Sequence, residues 1–265
     1  MNMPARLPRH VEYAIPLRLL ALSLAAAASA HAGLVIWGPA TTISGDSNVS
    51  TSGALVVAHN LGGSTNVDTT VNGVLFKKFV TNGPVNTVGN VTLSSPANIL
   101  GASTFGEVIP PFSNLSPSYQ RLLESASFTG GTTPPPTVTL TLAGLAVGTQ
   151  YQFQWWANQS SFFSFDPLAP PPPALPTTTA TAGNSVSLER TGPDAGSLGQ
   201  YALGVFTADA ATQVITFNGS DTRTLLNAFQ LRALSAPVVP EPGSCLFGIA
   251  VAGAICARRR PTSRP

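Results

Sequence analysis

The chain has 265 residues, of which 24 are Gly and 24 Pro, while only 9% are charged and 8% aromatic. So little charge excludes a coiled coil or an acidic disordered tail, glycine without a three-residue period excludes collagen, and the polar stretch between the ends excludes a multispanning membrane protein. The formal charge of +2 hides a split, because residues 33–239 carry six cations against nine anions, a net of −3, and the remaining arginines sit at the termini. No Lys/Arg cluster in that body could track phosphates, so nucleic acid is not expected as a partner.

Residues 1–32 read as a secretory signal. A basic stretch ending at Arg18 precedes the apolar run Leu19–Ala28, and Ala30-His31-Ala32 then leads into Gly33. Basic, apolar and small-x-small in that order is what a signal peptidase recognises, with cleavage expected after Ala32. A buried N-terminal helix is the competing explanation, but a Leu/Ala helix with no polar face would need burial all round.

The body that follows, residues 33–236, is long enough for one large core, and its short apolar runs between polar turns point to a single all-β sandwich. Ala54–His59 is a first apolar run, and Val71-Asn72-Gly73-Val74 places Asn-Gly between apolar residues, a strong hairpin signal. One helix is expected over 117–126, with Ser116 as N-cap, Pro117 in the first position and Tyr119, Leu122 and Leu123 as its apolar stripe. Thr129–Pro136 reads as a turn region. Thr137–Leu142 alternates strictly, and so does Gln150–Ala157, where Tyr151, Phe153 and Trp155 face one way and Gln152, Gln154 and Trp156 the other. Asn158–Pro176 carries Phe162, Phe163 and Phe165 and then Pro170–Pro173, and is expected as a long surface loop. Gln200–Thr207, Gln213–Asn218 and Leu225–Ala233 are the late strands.

Candidate chemistry is sparse. His59 is the one histidine left after signal removal, and no Gly-x-Ser-x-Gly elbow accompanies it, so a satisfied strand-end histidine is the expectation. Nine acids are available for glycosidic chemistry, yet Asp46, Asp194 and Asp221 sit in turns where Asp bonds the local backbone. No zinc or EF-hand spacing occurs, which leaves room only for a structural Ca²⁺ held by turn carbonyls and one or two aspartates. No other cofactor is expected. The positive signal is for sugar. Trp156, Asn158, Phe162, Phe163 and Asp166 combine rings that stack on pyranose faces with amide and carboxylate groups that bond hydroxyls. Against this, large aromatics are core residues more often than ligand platforms, so Trp155 and Trp156 could fill opposite faces of a buried strand. Exposure of Trp156 or of Phe162 and Phe163 decides between the two.

The C-terminal 29 residues, 237–265, form a second address. Val239-Pro240-Glu241-Pro242 is followed by the apolar run Cys245–Ala257 and then Arg258, Arg259 and Arg260. The prolines hold an extended segment that a processing enzyme can grip, and the arginines favour a cytoplasmic end. Both cysteines, Cys245 and Cys256, lie in the apolar run, so the body has none for a disulfide, a nucleophile or a metal.

In this order of Pro240-Glu241-Pro242, membrane segment and basic stop, the chain resembles PEP-CTERM exported proteins, the substrates of exosortases. The resemblance implies export, inner-membrane anchoring during sorting, cleavage near the motif by an exosortase-type enzyme, and a final place on the cell surface or in the extracellular matrix. Thirteen residues of helix span about 20 Å against a hydrocarbon core of roughly 30 Å, which fits transient anchoring better than a permanent one. The closing stretch from Gly199-Gln200-Tyr201 to Leu231-Arg232 also resembles jelly-roll, galactose-binding-like sandwiches. The expectation is a non-enzymatic surface or matrix protein that binds exopolysaccharide. A polysaccharide-acting enzyme with an unrecognised carboxylate pair is the alternative, and a purely structural envelope role the third.

Overall fold

Period-two alternation and Asn/Gly turns produce sixteen strands and one α-helix among the described residues of the computed structural model, which are 33–131, 134–162 and 174–234. The first strands are β1 (Ile36–Trp37), β2 (Thr41–Thr42), β3 (Ala54–Gly62), β4 (Thr69–Val71), β5 (Val74–Val80), β6 (Asn82–Val88) and β7 (Val91–Ala102). Helix α1 (Pro117–Glu124) precedes β8 (Ala126–Gly130), β9 (Val138–Ala143), β10 (Gln150–Ala157), β11 (Thr177–Ala182) and β12 (Asn184–Glu189). The chain closes with β13 (Gln200–Thr207), β14 (Thr212–Gly219), β15 (Arg223–Leu226) and β16 (Ala228–Ala233). The expected signal peptide 1–32 and sorting signal 237–265 lie outside the described residues, as do Phe163, Phe165, Asp166 and Pro170–Pro173.

The strands form two eight-stranded sheets, an all-β sandwich with one short helix. The first runs β1-β13-β10-β16-β3-β5-β4 with β2 beside β13, and the second β12-β11-β14-β9-β7-β8-β15 with β6 beside β7. All pairs are antiparallel except β3 with β5. In β10 the alternation seen in sequence becomes two faces: Tyr151, Phe153 and Trp155 enter the core between the sheets, where Trp155 meets Phe217 at 5.0 Å edge to face. Leu93, Leu140, Ile215 and Phe217 answer from the other sheet. Each such fully buried side chain contributes about 1.5–3 kcal/mol.

The outer face of the first sheet is also covered, in two ways. Over one half, α1 and the β4–β5 hairpin make a second apolar cluster of Phe76, Tyr119, Leu122, Leu123, Trp156 and Ala228. Ser116 caps the helix by accepting from the Tyr119 amide at 3.2 Å, and the Asn72-Gly73 turn, with φ of 49° and 74°, supplies the left-handed pair the tight hairpin requires. Over the other half, the segment 48–53 is strapped down by side chains from β10 and β16. Gln154 donates to the Asn48 carbonyl at 2.6 Å and Gln230 to that of Ser50 at 2.9 Å. Arg232 donates to the carbonyls of Ser52, Thr51 and Gly53 at 2.9, 3.1 and 2.8 Å.

Three expectations need correction. Leu225–Ala233 is not one strand: Leu226 belongs to the second sheet and Ala228 to the first, and the chain crosses over at buried Asn227. The Asn227 side chain holds that crossover, donating to the carbonyls of Leu123, Ser125 and Asn158 and accepting from the Asn158 amide at 2.5 Å. The helix ends at Glu124 rather than Ala126, because Ser125 is already extended and Ala126 opens β8. Finally, the loop over 158–176 does not begin at the surface, since Asn158, Gln159, Ser160 and Ser161 are all buried. The two sheets also touch directly at one end, where a Cβ on Gly101 would lie 2.1 Å from the Gly62 carbonyl oxygen.

Candidate functional site

Chain segments 158–162, 174–176, 189–200 and 219–223 converge at one end of the sandwich. β10 delivers the first of them. Past Ala157, Asn158 is spent entirely on structure: its Oδ1 accepts from the Ser160 hydroxyl at 3.0 Å and the Gly199 amide at 2.9 Å. Its Nδ2 donates to the carbonyls of Phe105 and Leu123 at 3.4 and 3.3 Å. The Gln159 amide then donates to the Arg190 carbonyl at 2.6 Å, and the Phe162 amide returns to the Gln159 carbonyl at 3.0 Å, closing a tight turn.

Arg190 is the pivot of this end. Its side chain is 0% exposed and pairs with the Asp221 carboxylate, and its Nη1 donates to the Arg223 carbonyl at 3.0 Å. Burial pulls the Arg190 guanidinium below its ordinary pKa and Asp221 works against that, while nearby Arg223 adds repulsion. The other Asp221 oxygen accepts from the Arg223 amide at 3.1 Å, the local turn bond its sequence context suggests.

On this framework sits a cavity of about 200 Å³ lined by Gln159, Phe162, Asp221, Thr222 and Arg223. Two of its features are chemically informative. Gln159 is 5% exposed, yet its Oε1 has no hydrogen-bond partner among the described residues, a state that costs about 1–3 kcal/mol. The Arg223 guanidinium lies 5.6 Å from the Phe128 ring centre and forms no ion pair with a carboxylate among the described residues. Residues Gln159, Phe162 and Arg223 thus line the same small space.

Of the residues expected to bind sugar, Phe162 alone among the described ones lines this cavity. Trp156 is 0% exposed: its ring packs edge to face on Phe76 at 5.6 Å, and its Nε1 donates to the Tyr119 hydroxyl at 2.9 Å. The outward face of β10 is roofed by α1, so Trp156 is core and no stacking platform, and Asn158 is equally enclosed. Phe163 and Asp166 fall outside the described residues. Sequence reading missed Gln159, Arg190 and Arg223. Their one sequence signal is the turn Gly219-Ser220-Asp221-Thr222-Arg223 between two strands, which names Asp221 but not its partner 31 residues earlier.

Three other cavities bear on function. A groove of about 640 Å³ flanks the same end, with Thr42, Ser44, Asn114, Glu189, Thr191 and Gln200 among its polar groups. A cleft of about 450 Å³ holds two carboxylates, Glu107 and Glu124, and burial raises the Glu124 pKa above its ordinary value. The cavity beside His59, about 360 Å³, is otherwise apolar apart from Asn90. His59 lies edge-on to Phe79 at 5.2 Å with Nδ1 3.2 Å from the Lys77 carbonyl, and burial lowers its pKa. Among the described residues, no serine or threonine lines that space. Among the described residues, no three His, Cys, Asp or Glu side chains gather as a metal site, and no helix is long and apolar enough to cross a membrane.

Comparison with known proteins adds little. The chain matches no protein-family model and no curated protein. One solved structure, described as "Structural basis for the promiscuous specificity of the carbohydrate-binding modules from the beta-sandwich super family", aligns over 74% of this chain and 99% of its own, at 14% identity and a TM-score of 0.15. A score that low carries no weight, and the sandwich rests on the strand pairing described above.

Proposed function

We propose that this chain is an exported, non-enzymatic cell-surface or matrix protein that binds exopolysaccharide at the end of its sandwich. The observation that supports this is the small cavity at the end of the sandwich, lined by Gln159, Phe162, Asp221, Thr222 and Arg223. Amide, carboxylate, hydroxyl and guanidinium groups around a small cavity are the side chains that bond sugar hydroxyls. Two hundred cubic ångströms is about seven waters' share of liquid, the room of one sugar ring. The jelly-roll-like, galactose-binding-like character of the closing strands fits a site carried on end loops. Export and sorting rest on residues 1–32 and on Pro240-Glu241-Pro242, Cys245–Ala257 and Arg258–Arg260, with a signal peptidase and an exosortase-type enzyme as processing partners and the inner membrane as a transient one.

The test is co-sedimentation of the full-length chain with the exopolysaccharide of its source organism, with reducing ends assayed on the same samples. Retention without new reducing ends supports the binder. Failure to sediment with any polysaccharide removes it and moves a structural envelope role ahead.

A second reading, glycosidic cleavage, has one observation in its favour. Glu107 and Glu124 share a cleft, and a carboxyl held above its ordinary pKa facing a second carboxylate is what acid–base cleavage uses. New reducing ends that disappear in Glu124→Gln would replace the binder with this enzyme.

A further inference from the structure

We infer that the groove of about 640 Å³ holds a run of about three neutral sugar units, so that the protein grips its polysaccharide along the chain and not by one end. This rests on the saccharide reading above and names the form of its ligand. The groove and the smaller cavity share a wall. Glu189 and Thr191 line the groove, while Arg190 between them turns its side chain to Asp221, which lines the cavity. Measured against that cavity of about 200 Å³, the room of one ring, the groove has room for about three. Backbone bonds fix its walls before any ligand arrives: the Ile43 amide donates to the Gly199 carbonyl at 3.0 Å and the Phe112 amide to that of Gly196 at 3.1 Å. A preformed site of this kind loses little to ordering when a ligand binds.

The lining selects the chemistry. The side chains of Thr42 and Asn114 are exposed and form no hydrogen bond with another described residue, which leaves donors and acceptors for ring hydroxyls. Pro111, Leu175 and Pro193 are at least partly exposed there and offer aliphatic surface to the C–H faces of the rings. Among the described residues that line the groove, Glu189 alone is charged. A uronate or phosphate on the chain would meet that carboxylate with no cation to answer it, a repulsion that favours a neutral polymer. A single sugar would fill about a third of the space and leave the rest to water, so affinity builds up only with length.

The decisive experiment titrates the full-length chain in mild detergent, by calorimetry, with oligosaccharides cut from the exopolysaccharide of the source organism and sorted by length into neutral and acidic pools. Affinity in the neutral pool should rise about tenfold from one unit to three and level off beyond that. Borohydride reduction of the chain end should leave the longer oligosaccharides bound as before. Changing Thr42→Ala together with Asn114→Ala should remove the rise with length, whereas Val85→Ser, on the exposed side of β6 and outside the groove, should keep it. A flat affinity across lengths, loss of binding on reduction, tighter binding of the acidic pool, or a rise that survives the paired change each overturns the groove inference while the saccharide cavity stands. Binding of no oligosaccharide from either pool overturns both. The length series uses unaltered protein, so its outcome does not depend on how well any variant folds.

Discussion

Two buried polar regions of this molecule use the same side chains to opposite ends. On the outer face of the first sheet, Gln154, Gln230 and Arg232 form a closed set. Gln230 donates to Gln154 at 2.7 Å, and Arg232 spends its guanidinium on three backbone carbonyls and the Gln230 amide oxygen, with no carboxylate in play. At the end of the sandwich, Gln159, Arg190 and Arg223 form an open set. There Gln159 Oε1 and Arg190 Nε are both buried without partners among the described residues. A satisfied network fixes a loop, whereas an incomplete one beside a cavity leaves hydrogen-bonding capacity for something else.

That contrast can be broken or sharpened by substitution. The largest effect is expected at Arg232→Met, which removes three hydrogen bonds to the carbonyls of segment 51–53 and should cost about 3 kcal/mol of stability by denaturant unfolding, with polysaccharide binding retained. A loss of binding there would contradict the assignment of this region to structure alone. Asp221→Asn comes next. It leaves the buried Arg190 charge without its counterion, for about 2 kcal/mol, less than a fully buried pair would lose because Asp221 is 31% exposed.

His59 belongs with the closed regions, and its effect is read through pH. Burial lowers its folded-state pKa below the ordinary 6.5, so below about that pH the unfolded chain binds the extra proton more readily than the folded one. Stability from this site is complete above pH 6.5 and falls as the pH drops through the folded value. A thermal-melt series should show this loss in wild type and a shallower one in His59→Phe. The smallest stability change is expected at Gln159→Leu. It removes an acceptor that is already unpaired, so stability should stay within about 1 kcal/mol while polysaccharide retention is lost. A large destabilisation would show that Gln159 is structural after all.

Much of the framework was legible from local chemistry. Ser116-Pro117 with Tyr119, Leu122 and Leu123 announced α1, Asn72-Gly73 announced the β4–β5 hairpin, and the alternation of Gln150–Ala157 gave both faces of β10. The strands that escaped notice had weaker patterns. In β11, Thr177–Ala182, the core face is only Thr178, Ala180 and Ala182. In β7, Pro96 argues against a strand, and it is tolerated because the β6–β7 register shifts beside it, leaving that stretch out of the ladder. Asn227 was hidden for another reason: Leu225–Ala233 reads as one strand, and only the pairing of its two halves with different sheets shows that the chain crosses there.

The site divides in the same way. Phe162 could be picked out as an aromatic in a polar loop, but Trp156 looked identical in sequence and is buried, because burial of its face depends on whether a distant helix covers it. What the sequence determined by itself is what local forces decide: turns, caps, strand faces and the segments at both ends that resemble sorting signals. What only the tertiary structure decided is which polar groups are left unpaired. Arg190 and Asp221 are 31 residues apart, and Gln159 and Arg223 lie on opposite sides of both. Whether a buried group is satisfied is a sum over every neighbour the fold brings within about 3 Å, and that sum exists only once the two sheets have closed.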